Sequence, residues 1–196
     1  MHIEHVTINI AQPGAIGAAL MSALLSTPTP GGDAAPASNA LTPPAIGAYW
    51  PGQGGVYVGL GRGYDGVPDH PLILATDPRS VFAKRALGTY GVDVAGATSD
   101  HDAMANTVAL ANAGSELCKE ILALEIDGHT DFSLMSRTDA RLCMANVPEQ
   151  FEKEWYLTST QYSSTTAWGQ LFYNGRQNDL SKKFEALSRA VRRLVR

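Results

Sequence analysis

Apolar and polar residues alternate at the beginning of the chain, and the spacing then becomes helical. Residues 7–10 alternate between polar and branched apolar side chains, which is the two-residue period of a half-buried strand. Ile16, Leu20 and Leu24 follow at i, i+4 and i+8, so they share one helix face. Small residues weaken this helix, which therefore needs a partner surface. We predict that residues 1–25 attach or oligomerise the protein; packing against its own domain is the alternative.

The next segment has the composition of a linker. Residues 26–45 are rich in proline, alanine, glycine and threonine and contain almost no large apolar side chain. A chain of 196 residues is long enough for one domain of about 150 residues and an appendage. We therefore predict one folded domain over residues 46–196.

Two strands are predicted early in this domain. Residues 56–60 lie between glycines that permit tight turns, residues 72–75 are a continuous apolar run, and residues 64–66 fit a turn. The glycines also resemble a phosphate-binding loop, but the Gly-Lys-Ser/Thr sequence is missing and no helix is predicted to follow. We interpret the segment as strands joined by turns.

A first helix is predicted to open at Ser99, with Asp102 as its capping-box partner. Met104, Val108 and Ala111 have helical spacing and are expected to face the core. This places the first helix well after the predicted strands.

Two more helices and three strands are predicted downstream. The second helix covers residues 115–124, and the third starts at Ser136, forms a capping box with Asp139 and ends near residue 146. The strands are expected at residues 156–159, 167–172 and 190–195. Strands followed by helices and then by more strands predict an α+β fold.

Several motifs occur in a characteristic order. They are Gly-His-Thr-Asp-Phe-Ser-Leu-Met-Ser at 128–136, Trp-Tyr-Leu-Thr-Ser-Thr-Gln-Tyr at 155–162, Ala-Trp at 167–168, Gly175, and Arg-Ala-Val-Arg-Arg at 189–193. This series resembles the Lcl C-terminal-like domain family, whose pattern is Gly-aromatic-Ser/Thr-Asp-Trp-Arg-Leu-Pro-Thr, Trp-Ser-Ser-Thr, Ala-Trp and Val-Arg-Pro-Val-Arg. Three positions depart from it: Phe132 replaces Trp, Ser133 replaces Arg, and Met135 replaces Pro. The loop geometry at those positions is therefore not carried over.

The resemblance implies a C-type-lectin-like fold, with a small twisted antiparallel sheet, two or three packed helices and a long exposed loop. The family is similar to the ligand-binding domains of phage tropism determinants and of variable proteins diversified by retroelements. It also occurs in bacterial surface adhesins. Such relatives bind host-surface molecules, do not act as enzymes, and are commonly homotrimers in phages.

The sequence contains few motifs that would indicate a metal-dependent or catalytic function. The Glu-Pro-Asn, Gln-Pro-Asp and Trp-Asn-Asp calcium motifs of sugar-binding C-type lectins are missing. Formylglycine-generating enzymes of the same fold need a reactive cysteine pair, whereas Cys118 and Cys143 fall on predicted helices and are interpreted as buried thiols. His70 and His101 adjoin aspartates without a nucleophile motif. We expect no cofactor, no metal and no enzymatic activity.

Charge and hydropathy limit the partners. The net charge of −4 gives no reason to expect nucleic acid. The cationic tail is predicted to be a solvated edge strand with one packed stem; it comprises Arg189, Arg192, Arg193 and Arg196. Met1 is not followed by a basic leader, and the apolar run at residues 15–25 is too short for a membrane span, so we expect the protein to be made in the cytoplasm without export and then to enter the virion.

The last forty residues mix aromatic and hydroxyl side chains, a composition typical of binding surfaces. Trp155 and Trp168 are predicted to be core. The candidate ligand-binding residues, predicted to face outward, are Tyr156, Gln161, Tyr162, Thr165, Thr166, Gln170, Tyr173, Asn174, Arg176, Asn178 and Lys182, with Phe172 as a further candidate. Strand alternation, however, places Gln170 and Phe172 on the same side as Trp168. A polar loop with structural tyrosines is the alternative interpretation.

The sequence therefore predicts a receptor-binding protein of a phage or phage-like tail, located at the tail tip of the virion. Its partners would be a host-surface polysaccharide or protein, other tail proteins through residues 1–25, and two further copies in a homotrimer. The alternatives are a structural tail-fibre cap or assembly protein and a bacterial surface adhesin.

Overall fold

The computed structural model describes residues 42–194. The strand predicted at residues 7–10, the helix after it and most of the linker at 26–45 lie outside the described residues, as does Arg196. The structure therefore concerns the predicted C-terminal domain.

This part of the chain has an α+β fold, which confirms the predicted class. Its strands are β1 (Tyr49–Trp50), β2 (Gly55–Gly61), β3 (His70–Ala75), β4 (Val81–Arg85), β5 (Phe132–Leu134), β6 (Trp155–Gln161), β7 (Thr166–Leu171), β8 (Gln177–Ser181) and β9 (Ala186–Arg193). Its helices are α1 (Ala103–Asn112), α2 (Glu116–Leu122) and α3 (Arg137–Asn146), with two short 3-10 helices at Pro78–Ser80 and Pro148–Gln150. The strands predicted at 56–60 and 72–75 correspond to β2 and β3, and the later three correspond to β6, β7 and β9.

The nine strands of residues 42–194 are hydrogen-bonded in the order β1-β2-β3-β9-β6-β7-β8, and β4 and β5 also pair with β9. Neighbouring strands are antiparallel except β6 and β9, whose one residue pair is parallel. Strand β2 approaches β3 so closely that a Cβ on Gly55 would lie 2.0 Å from the Leu74 carbonyl oxygen. Glycine is therefore required at that position.

Strand β9 is central, so the prediction of a solvated edge strand for the cationic tail is wrong. Arg189 and Arg192 are only 7% and 5% exposed. Arg189 donates to the carbonyl oxygens of Ala75 at 2.7 Å and Gln150 at 2.8 Å, and Arg192 donates to Asp131 at 2.5 Å. These bonds offset the cost of burying the two guanidinium groups, although Arg189 Nε has no hydrogen-bond partner among the described residues.

Two hydrophobic clusters lie on opposite faces of the sheet. Adjacent residues of β6 belong to different clusters: Leu157 packs with α1 and α2, whereas Tyr156 packs with α3. The same division separates Ala190 from Val191 in β9. Because successive side chains of a strand point to opposite faces, α1 and α2 cover one face and α3 covers the other.

Helix α3 starts as predicted. The Ser136 hydroxyl accepts a bond from the Asp139 backbone, and the Asp139 carboxylate accepts one from the Ser136 backbone at 2.9 Å. Helix α2 also begins where its capping serine, Ser115, predicts. These short-range bonds need no tertiary partner, which is why the sequence shows them clearly.

Helix α1 differs from its prediction in its start and in part of its buried face, although Ala111 is buried as predicted. Its N-cap is Asp102, which accepts a bond from the Ala105 amide at 2.9 Å. Val108 is 39% exposed, whereas Asn106 and Thr107 are buried. Thr107 accepts a bond from the Leu134 amide at 3.1 Å. Polar residues that hydrogen-bond to the core therefore lie on the buried face of α1, which the spacing of apolar residues did not predict.

A long connection joins β4 to α1. Residues 86–102 form neither helix nor strand, yet several of them pack into the domain. Leu87 is fully buried, and the Ser115 hydroxyl donates to its carbonyl oxygen at 2.5 Å. The connection is thus an ordered loop that supplies backbone oxygens to the core.

Candidate ligand-contact surface

The surface with the most distinctive chemistry lies on β7 and β8. Trp168 of β7 is opposite Asp179 of β8, and Gln170 is opposite Gln177. Directly paired residues of an antiparallel sheet share one face, so Trp168 and Asp179 project to the same side. Trp168 is half-buried, which corrects the prediction that it belongs to the core.

Arg137, the first residue of α3, lies over this tryptophan. Its guanidinium carbon is 3.5 Å from the centroid of the Trp168 ring. The same guanidinium donates to Gln177 Oε1 at 3.0 Å and to Asp100 Oδ2 at 3.2 Å. The Ser136 capping box fixes the start of α3, so the stacked arginine is held in place by local helix structure as well.

Tyr162 extends this arrangement towards solvent. Its ring meets Trp168 edge to face, with centroids 5.2 Å apart and planes at 76°. Tyr162 is 61% exposed. We call this group the Trp168 surface; it comprises Asp100, Arg137, Tyr162, Trp168, Gln177 and Asp179.

The Trp168 surface combines the features of a recognition site. An exposed tyrosine and a half-buried tryptophan offer rigid contact area, and their neighbours offer both donors and carboxylate acceptors. Only two of the five guanidinium N–H groups of Arg137 donate to other described side chains, so further donors can meet a ligand. Such a surface suits binding by stacking and hydrogen bonding.

The hairpin tip between β7 and β8 is a separate exposed region. Tyr173 is 67% exposed, and Asn174 and Arg176 are exposed beside it. The tip follows the end of β7, whereas Tyr162 precedes its start. The length of β7, at about 3.3 Å per residue, therefore separates the two regions by roughly 17 Å. The structure therefore does not join these predicted site residues into one patch.

Three other candidates are half-buried. Thr165 and Thr166 donate their backbone amides to the Ser163 hydroxyl at 3.2 and 3.1 Å, which closes the turn before β7. Asn178 is opposite Gly169, the residue that follows Trp168 in β7. Because successive residues of a strand face opposite sides of the sheet, Asn178 lies on the face away from Trp168. The two threonines adjoin the Trp168 surface, and Asn178 does not.

Tyr156 and Phe172 are buried, so the prediction that they face outward is wrong. They are 2% and 4% exposed and pack with Phe151. The Tyr156 hydroxyl accepts a bond from the Glu152 amide at 3.0 Å, which satisfies its polar end. Gln170 is also buried, at 1% exposure, because it shares the α3-covered face with Tyr156.

Gln161 and Lys182 are buried too, again contrary to prediction. The Lys182 ammonium donates to Gln161 Oε1 at 2.6 Å and to the Val92 carbonyl at 2.8 Å. Gln161 donates to Asp93 Oδ1 at 2.5 Å and accepts from the Val94 amide at 3.0 Å. Desolvation by burial lowers the pKa of Lys182. Both side chains hold residues 86–102 against the sheet.

Replacing Lys182 with methionine is expected to lower the free energy of unfolding by about 1–3 kcal/mol, because the buried bond to Gln161 Oε1 and the bond to the Val92 carbonyl are both lost. Chemical denaturation measures the change. Lys153→Met is the matched control, since Lys153 is exposed, and it should change stability by less than about 0.5 kcal/mol. Equal stability of the two variants would contradict the proposed role of Lys182.

The thiols are poorly placed for nucleophilic chemistry. Cys118 and Cys143 are free and buried. Burial raises the pKa of the Cys118 thiol to about 12 and that of Cys143 well above its usual value. Since the thiolate is the reactive form, neither group is activated at neutral pH.

Some members of the Trp168 surface were not predicted from the sequence. Arg137, Asp100 and Gln177 come from α3, the long loop and β8, and only the fold brings them together. The one available sequence signal is that Arg137 directly follows the capping residue Ser136, which places it at the first turn of a helix.

No family model matches the chain, and no curated protein matches its sequence. No helix within residues 42–194 is long and apolar enough to cross a membrane. In the same residues, no group of three or more His, Cys, Asp or Glu side chains is arranged to hold a metal ion.

Proposed function

We propose that this protein is a receptor-binding protein of a phage or phage-like tail, with a C-type-lectin-like domain that contacts a bacterial surface molecule. The observation that carries the proposal is the Trp168 surface, where an exposed tyrosine, a tryptophan and a stacked arginine lie together. Aromatic residues and arginine are the side chains that most often dominate binding energy at interfaces. The motif series that resembles the Lcl C-terminal-like family points to the same function.

The architecture is compatible with the lectin-like part of the proposal. A mostly antiparallel sheet carries helices on both faces, and a long ordered loop joins β4 to α1. The sheet supplies a rigid base, so the side chains of β7 and β8 can bind with little loss of conformational freedom. The ligand would be a polysaccharide or protein of the host surface, and the protein would act as a homotrimer in the virion.

Binding of labelled full-length protein to a panel of bacteria tests this proposal. Tyr162→Ala and Trp168→Ala should each weaken saturable binding to the recognised strain by about tenfold or more, as expected for central aromatic contacts. Tyr173→Ala is the matched control, because it removes an equally exposed tyrosine from the distant hairpin tip. Thermal unfolding checks that each variant remains folded.

The outcomes separate the candidate functions. Loss of binding in Tyr173→Ala alone would move the site to the hairpin tip. Absence of saturable binding to every strain, with retention of the protein in assembled tails, would favour a structural cap. The strand β8 favours that second function, because among the strands of residues 42–194 it pairs with β7 alone, and its other edge is open to a partner strand.

A further inference from the structure

A concave pocket lies where β6 begins beside β4 and β9. Its volume is about 370 Å³, and its apolar walls are Trp155, Phe184 and Leu187. A volume of this size is within the range of small-molecule sites. The pocket therefore has room for a small organic ligand.

The two aromatic walls are held by the fold. Trp155 is opposite Leu171 in the β6–β7 pair and packs partly against the core cluster under α1 and α2. Phe184 lies in the turn before β9, where its amide donates to the Ser181 carbonyl at 2.8 Å, and it is 44% exposed. One ring is thus anchored and the other is accessible.

The rim of the pocket is acidic. Glu152, Glu154 and Glu185 line it, and Lys84 is its one basic lining residue, so three acidic groups against one basic group give a formal charge of −2. None of these three glutamates forms a salt bridge with a residue in the part of the chain described. The pocket consequently combines aromatic walls with carboxylates that no described cation pairs with directly and with a net negative charge.

The residues that line the pocket favour one kind of cation over others. The three carboxylates are not arranged as a metal site, since no such group occurs within residues 42–194. The carboxylates can attract either a primary or a quaternary ammonium, but the apolar and aromatic walls match only the methyl groups of a quaternary ammonium. An aromatic face beside carboxylates attracts such a cation through both its charge and its surface.

We propose that this pocket binds a small monocation that carries a quaternary ammonium group, with Trp155 and Phe184 against its methyl groups and the glutamates around its charge. The site is distinct from the Trp168 surface. Trp155 and Leu157 point towards the α1–α2 face of β6, whereas Trp168 lies with Gln170 on the opposite face. The inference therefore does not depend on the receptor-binding proposal.

Titration of the isotope-labelled full-length protein with choline, followed by NMR at the Trp155 indole N–H, tests the site. Choline should bind saturably with a dissociation constant of about 1 mM, an affinity typical of so small a ligand. Two matched probes isolate the causes: 3,3-dimethylbutan-1-ol keeps the shape without the charge, and ethanolamine keeps the charge without the methyl groups. Each should bind at least about tenfold more weakly.

Variants at exposed positions test the same residues without risk to the core. Glu185→Gln and Phe184→Ala should each weaken choline binding by about three- to tenfold, because one removes a charge and the other a cation–π partner. Tyr173→Ala should leave it unchanged. Phosphocholine should bind more weakly than choline, because its phosphate meets the acidic rim.

Several results would overturn the proposal. They are equal binding of choline and its neutral analogue, tighter binding of phosphocholine, and wild-type choline affinity in both Glu185→Gln and Phe184→Ala. A shift of the Trp155 signal that never saturates would also overturn it.

Discussion

Replacing Arg193 with alanine is expected to lower the free energy of unfolding by about 3–5 kcal/mol. The Arg193 side chain is 10% exposed, and its guanidinium meets both carboxylate oxygens of Asp139, at 2.8 and 2.9 Å. It also donates to Tyr64 at 2.9 Å and to the His101 carbonyl. Without it, the Asp139 carboxylate stays buried and loses its compensating charge. Equilibrium denaturation in urea measures the loss.

Arg85→Ala is the matched control for this prediction. Arg85 also bonds to a carboxylate, that of Glu120, but the two side chains are 37% and 46% exposed. An exposed ion pair contributes at most about 1 kcal/mol, so this variant should be nearly as stable as the parent. If both arginine variants lose the same stability, the buried pair does not have the importance we assign to it.

Replacing Tyr156 with alanine is expected to cost about 3–5 kcal/mol, because it opens a cavity in the cluster covered by α3. Tyr156 is 2% exposed, and its ring packs against Phe151 and Phe172 with centroids 5.1 and 5.0 Å apart. The same denaturation experiment measures the effect. Unfolding of this variant should also abolish ligand binding. Binding should return under conditions that restore folding.

Tyr156→Phe provides the control for the core role. It keeps the ring and removes only the hydroxyl that accepts a hydrogen bond from the Glu152 amide. The variant should therefore lower the free energy of unfolding by about 1 kcal/mol and leave ligand binding intact. A binding defect in this variant without loss of stability would return Tyr156 to the ligand site that sequence composition first suggested.

Local signals predicted much of the fold. The Ser136 and Asp139 pair gave the start of α3, and the apolar run at 72–75 gave the buried strand β3. Both depend on residues within a few positions of each other, which a sequence displays directly. Strands β4, β5 and β8 were not predicted, because they are short or polar and exist through pairing with distant segments.

The burial of polar residues could not be predicted in the same way. Gln161 and Lys182 were expected at the surface because of their polarity, yet their partners are Asp93 and Val92 in a distant loop. Arg189 and Arg192 are buried for the same reason, since carbonyl and carboxylate oxygens from other elements accept hydrogen bonds from them. A single sequence does not show which distant acceptor meets which donor.

The candidate site was likewise predicted only in part. Composition correctly placed Tyr162 and Tyr173 at the surface, where they are 61% and 67% exposed. It did not show that a strand separates them, or that Arg137 lies 3.5 Å above Trp168. Those facts depend on how α3 crosses β7, which is a property of tertiary packing.

The central place of β9 has a consequence for biosynthesis. β9 pairs with β3, β4, β5 and β6, so the strand that the ribosome makes last among those described joins the β1-β2-β3 part of the sheet to the β6-β7-β8 part. A nascent chain that has not yet released Ala186–Arg193 exposes strand edges that have no neighbour. Pairings between such distant segments also close slowly. The sheet is therefore expected to be completed only after translation of β9.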